Sequence, residues 1–246
     1  MLWACLDDSA IHLRPKRTLY RYALGGAVAS LAVWQELLPI WRSRLSAPGN
    51  PTKLSWFHFK EWQRAFLGHA KEGDLFYGWT QRQLKPLLTD LADIISKREI
   101  HYLCASVPVV KKGHIVRDSY KEAVELVIKR AQKIPEWLSQ TDKVSFLLST
   151  HSELPNIRIH DFFEILKRGH PGMAECVFGD PRSKEALQVA DLIVYHTARS
   201  RRMRMSYGPQ LLKPFMTEVM EHLNRHPPHH HMIEWHVADN LEANQY

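Results

Sequence analysis

The chain has 246 residues, 45% hydrophobic and 24% charged, an ordinary balance for a globular protein of one sizeable domain or two small ones. Its formal net charge of +7 suits encounter with a polyanion but says nothing of fold. Three scattered cysteines exclude a disulfide framework, no leader-like segment opens the chain, and no apolar run approaches the ~20 residues of a membrane helix, so a cytoplasmic protein with no membrane partner is expected.

Residues 1–8 read as a strand in which Leu2-Trp3-Ala4-Cys5-Leu6 runs into Asp7-Asp8. A second strand is expected from Thr18 to Val28, with 9–17 as the hairpin connection. Gly25 and Gly26 inside it signal a bulge or a close backbone approach. Residues 31–46 read as a Trp- and Leu-rich helix kinked at Pro39, whose apolar side would suit a protein partner or a second copy. A short strand is expected over 53–59 and a helix over 60–67. Thr80-x-x-Gln83 is a capping box that opens a helix to about residue 98, unless Pro86 marks its first turn instead. Residues 100–107 read as a strand, and Ser119-x-x-Glu122 as the cap of a helix ending near Pro135. Then follow a strand at 144–148, a helix at 159–168, a strand at 175–178 and helices at 185–200 and 210–224. A hairpin followed by alternating strands and helices predicts an α/β domain over 1–226, a mixed sheet flanked by helices, with a His-rich tail over 227–246.

The 185–200 helix puts Asp191 on the same side as Leu187, Val194 and Ala198, where a leucine would pack. A buried unpaired charge is costly, so a cation, hydrogen-bond donors or a proton must compensate it. A salt bridge to Arg182 or Arg199 is one solution, and a metal is another. Asp7, at the tip of an apolar strand, is the natural second ligand; Asp8 points to the opposite face. Carboxylates converging from separate elements can hold Mg²⁺ or Mn²⁺ for phosphodiester hydrolysis. Glu61, Glu153 and Asp180 are candidates to complete the shell, and His58 or His151 to move a proton. Each has a plainer role open to it: Asp180 precedes Pro181 and suits a helix cap, Glu61 a solvated helix face, Glu153 a loop.

Arg199, Arg201, Arg202 and Arg204 follow directly and could grip the phosphates of a nucleic acid, although cations also suit a helix C-terminus. The histidines His222, His226, His229, His230, His231 and His236 crowd the C-terminal region without zinc-type spacing, so a zinc hydrolase is the weaker reading. No Gly-x-Ser-x-Gly, Walker loop or GxGxxG is present.

Leu6-Asp7-Asp8-Ser9-Ala10 resembles the Asp-Glu-Ser-Gly opening of the family called domain of unknown function 3800. Ala23-Leu24-Gly25-Gly26-Ala27-Val28 is similar to its glycine-containing second strand, Phe57-His58-Phe59-Lys60-Glu61 to its central histidine motif, and Leu187 to Tyr195 to its strongest signature. The ordered set spans about residues 1–205. The resemblance implies a ribonuclease H-like fold, with one acid on the first strand and one on a late helix, here Asp7 and Asp191. It also implies a metal-dependent nuclease, in a family whose members resemble parts of mobile-element or antiviral defence systems. Asp8 and Ala10 replace the family's Glu and Gly, and Ser149-Thr150-His151-Ser152 stands where related sequences carry an acid. That second departure keeps an alternative in view: a catalytically inactive module that binds nucleic acid or a partner protein.

Overall fold

The computed structural model of the chain describes residues 1–13, 18–108, 116–134, 143–150, 156–204 and 233–236. β1 (Leu2–Leu13) and β2 (Thr18–Ser30) form an antiparallel hairpin, longer than the sequence suggests, and Ser30 caps α1 (Leu31–Leu45) by accepting the Val33 N–H. α2 (Phe59–Phe66), α3 (Gln81–Ser96), β3 (His101–Pro108), α4 (Val116–Ala131) and β4 (Val144–Ser149) follow. The described chain ends with α5 (Asn156–Gly169), β5 (Met173–Gly179), α6 (Glu185–Arg204) and β6 (Ile233–His236). The expected 210–224 helix and most of the His-rich tail lie outside the described residues; His236 belongs to β6.

The strands make one mixed sheet in the order β5-β4-β1-β2-β3-β6. β2 runs antiparallel to β1 and β3, whereas the β1–β4, β4–β5 and β3–β6 pairs are parallel. β1 is therefore central, with parallel and antiparallel neighbours on its two sides. Strand alternation sends Leu2, Ala4 and Leu6 into one core with α4 and α5, through residues such as Val124, Val127 and Phe163. Cys5 faces the other core, built from α1, α2, α3 and α6. The result is a sheet between two helical layers. No helix among the described residues is long and apolar enough to cross a membrane.

Beneath α6 the sheet is paved with small residues: Cys5, Ala23 and Ala27 are all buried there. Gly26 is the tightest point. A Cβ on it would lie 2.0 Å from the Cys5 carbonyl oxygen and 2.8 Å from the Ala190 Cβ. The β1–β2 register is unbroken at this point, so close approach rather than a bulge explains the glycine. Covered by the sheet on one side and by α1–α3 on the other, α6 is buried all round from Ala186 to Val194.

Three sequence expectations need correction, and one choice left open, between the Thr80 capping box and a start at Pro86, is decided for the capping box. Residues 53–59 form no strand: the Leu54 N–H goes to the Leu45 carbonyl, the Phe57 N–H to the Gln188 side chain of α6, as described below, and Phe59 opens α2. α3 starts at Gln81 with Pro86 in its interior; the Thr80 N–H and hydroxyl both donate to Gln83 Oε1 at 2.9 Å and settle the start. Ser119 lies inside α4 and is no cap. Finally, Trp34, Leu37, Trp41 and Leu45 of α1 are buried in the protein's own core, so this apolar stripe is spent internally and offers no partner surface.

Candidate active site

Asp7 is the first residue of β1 beyond its parallel ladder with β4, which ends at Leu6 and Leu148. The next residue of β4, Ser149, is thereby level with it, and the Ser149 hydroxyl donates to the Asp7 carboxylate. On the antiparallel side Asp7 pairs with Gly25, one residue from the position against which α6 is seated. That seating delivers Asp191, the residue after Ala190, to the same place. Asp191 is only 6% exposed and accepts the Phe59 N–H on Oδ2 at 2.7 Å.

The electrostatics record the meeting. Burial pushes the Asp191 carboxyl up to about 6, against the His58 charge and the Phe59 N–H, which pull it down; Asp8 adds a small push upward. Burial raises the Asp7 carboxyl well above the usual carboxylate range, and the charges of Asp191 and Asp8 raise it further, against the Asp8 N–H and the Ser149 hydroxyl. Both acids are therefore harder to ionise than an ordinary aspartate, chiefly because they are taken out of water, and their proton release is coupled.

Asp8 faces the other side of the sheet, as strand alternation requires. There its charge acts on Tyr22 and Tyr120, whose rings pack edge-on at 5.7 Å between centroids.

His58 sits between two tethered neighbours. The Phe57 N–H donates to Gln188 Oε1 at 3.0 Å, and the Phe59 N–H to Asp191. Gln188 is fully buried and fully used: it also accepts the Trp41 Nε1–H at 3.0 Å and donates through Nε2 to the Pro181 carbonyl at 2.8 Å. One turn further on, the Tyr195 hydroxyl donates to Gln63 Oε1, and its ring packs 4.3 Å from that of Phe59. Gln188, Asp191 and Tyr195 thus make a polar stripe at helical spacing that captures the 57–63 segment. Sequence reasoning picked out Asp191 alone; the i, i+3, i+7 spacing of its two polar companions was the available signal.

Of the other candidates, Glu61 lies beyond His58 rather than beside Asp7. Its Oε1 is 3.4 Å from His58 Nδ1, and its Oε2 accepts the Leu75 N–H at 3.0 Å. Asp180 is exposed and serves the turn before α6, accepting the Arg182 N–H on Oδ1 at 2.8 Å. Arg182 does not neutralise Asp191: its guanidinium lies over the Trp56 ring at 5.2 Å. Glu153 and His151 lie outside the described residues, as do the side chains of Arg199, Arg201, Arg202 and Arg204. Among the described residues no three His, Cys, Asp or Glu side chains group as a metal site. Set against known proteins, the chain matches no family model and no curated sequence.

Proposed function

We propose that the protein is a Mg²⁺- or Mn²⁺-dependent nuclease of ribonuclease H-like fold that hydrolyses phosphodiester bonds in RNA or DNA. The observation that carries this reading is the meeting of two carboxylates from separate elements, Asp7 where the β1–β4 ladder ends and Asp191 on α6, close enough for the Asp191 charge to raise the Asp7 carboxyl. It matches the first-strand and late-helix positions that the family resemblance implies for the acids. A buried carboxyl beside a half-buried one is costly to keep without a counter-charge, and an all-oxygen donor set of this kind fits a hard dication.

Asp7 and Asp191 would hold the metal, which when bound would polarise the phosphodiester and activate water. The Phe59 N–H keeps Asp191 in one orientation. His58, whose charge acts on Asp191, is the group suited to carry a proton between water and the leaving oxygen, while Glu61 beside Nδ1 steadies the ring. One observation favours the second reading, an inactive module that binds nucleic acid or a protein: Asp7 accepts the hydroxyl of Ser149, and Ser149 offers no third charge.

The deciding experiment incubates labelled RNA, DNA and RNA–DNA hybrid with the protein, with and without Mn²⁺, beside Asp7→Asn and Asp191→Asn. The nuclease reading expects cleavage by the parent with metal and by neither variant. Cleavage without metal, or variants as active as the parent, would reject it. Salt-sensitive binding with no turnover in any metal supports the second reading.

A further inference from the structure

An acid pair repels the polyanion it is meant to cut, so a nuclease needs a cation close by that the protein has not already neutralised. Arg42, Arg44 and Arg64 do not qualify, because they meet Glu185, Asp90 and Asp74 at 2.7, 2.7 and 3.1 Å. Arg182 differs. It is exposed and meets no carboxylate among the described residues. Its guanidinium is seated 5.2 Å from the centroid of the Trp56 ring, and that ring stacks on His58 at 5.5 Å and 17°. Two ring contacts therefore link Arg182 to the histidine whose charge acts on Asp191.

Its backbone is equally constrained. The Arg182 N–H donates to Asp180 Oδ1 at 2.8 Å, which occupies the acid nearest to it in sequence. The Ser183 and Lys184 N–H groups return to the Asp180 carbonyl at 2.9 and 3.0 Å, and Gln188 holds the Pro181 carbonyl. A guanidinium seated over an aromatic ring, and paired with no carboxylate among the described residues, has N–H groups to offer a phosphate, and its ordering precedes binding.

We propose that Arg182, seated on Trp56, is a phosphate anchor that grips the backbone of a nucleic-acid strand beside the Asp7–Asp191 pair. The inference rests on the nuclease reading and adds to it the residue that brings the substrate to the acids. The anchor reads the phosphate and not the base, so it carries no sequence preference.

The test measures binding of a labelled single-stranded oligonucleotide to the full chain by fluorescence anisotropy, in EDTA and across a salt series. Arg182→Gln is expected to weaken binding about tenfold and to lower the salt slope by about one counterion. Arg182→Lys keeps the slope but not the full affinity, because an ammonium lacks the planar fork. Trp56→Leu weakens binding with the slope retained, and Arg168→Gln, an exposed arginine on α5, changes neither. If Arg182→Gln binds with the parent's affinity and slope while the parent still cleaves with Mn²⁺, the anchor is overturned and the nuclease reading stands. If the parent neither binds nor cleaves, the nuclease reading falls and the anchor falls with it.

Discussion

The carboxylate of Asp191 receives the backbone N–H of Phe59 at 2.7 Å, and the buried amide of Gln188, one turn earlier on α6, receives that of Phe57. The N–H groups of Phe57, just before α2, and of Phe59, its first residue, are thus paired with side chains of another helix, in place of a neighbouring strand. The residue between them, His58, is fixed near the acid that its neighbour helps to orient. Binding of the loop and tuning of the acid are one arrangement.

Stability without metal should fall as pH rises from about 4 to about 6. Asp191 has its folded value raised to about 6, from 3.8 for an ordinary aspartate. In that window the folded chain holds the proton more tightly than the unfolded one, so protonation stabilises, and the whole penalty is present above it. Two units correspond to about 3 kcal/mol. Asp191→Asn, which keeps an acceptor for Phe59, should flatten this dependence and unfold at higher denaturant than the parent at pH 8. Urea titrations at pH 4, 6 and 8 check both outcomes.

A divalent cation should substitute for that proton. Mn²⁺ is expected to raise the melting temperature of the parent at pH 8, with a shift that grows with metal concentration. Because a metal takes ionised carboxylates and both acids are raised above the ordinary range, affinity should increase with pH. Asp7→Asn should lose most of the shift. Thermal scans with and without Mn²⁺, against an EDTA control, give the answer; equal shifts in parent and variant would place any bound metal elsewhere.

Gly26→Ala should destabilise the protein by about 3 kcal/mol or more. The added methyl meets a backbone carbonyl at 2.0 Å, which no rotamer change can relieve, and the Ala190 Cβ at 2.8 Å. Guanidinium unfolding measures the loss. Activity surviving in a folded fraction should be lower still, because α6 must lift from the strand that carries Asp7.

Gln188→Leu should cost about 3 kcal/mol by stranding two buried donors, the Trp41 Nε1–H and the Phe57 N–H. Turnover is expected to fall by about 10- to 100-fold through displacement of His58, with the Michaelis constant less affected. Denaturation and steady-state kinetics on the same preparation separate the two effects.

The order of elements was legible because most of them carry a local signal: an unbroken apolar run in β1, helical spacing in α6, and a capping box at Thr80 strong enough to carry α3 through Pro86. Asp191 stood out as a charge among apolar neighbours. Residues 53–58 misled for a physical reason. Phe57 and Phe59 alternate like a strand and are both buried, but the partner of their backbone is a pair of side chains about 130 positions away, a distance that no local pattern encodes. Ser119 misled because burial against the sheet let α4 begin earlier than its cap-like sequence. Gln188 was passed over because a glutamine among leucines on a helix reads as neutral until its partners are seen.

Adjacent acids on the central strand give the sheet a further property. Asp7 looks toward α6 and Asp8 toward Tyr22 and Tyr120, yet the Asp8 charge raises Asp7, Asp191, Tyr22 and Tyr120 alike. One strand's thickness of protein, poor in water, is too thin a partition to insulate one side from the other. Whatever adds or removes charge around the tyrosines is felt by the carboxyls opposite, so the face that carries Asp7 and Asp191 has a second, hidden terminal on the back of the sheet.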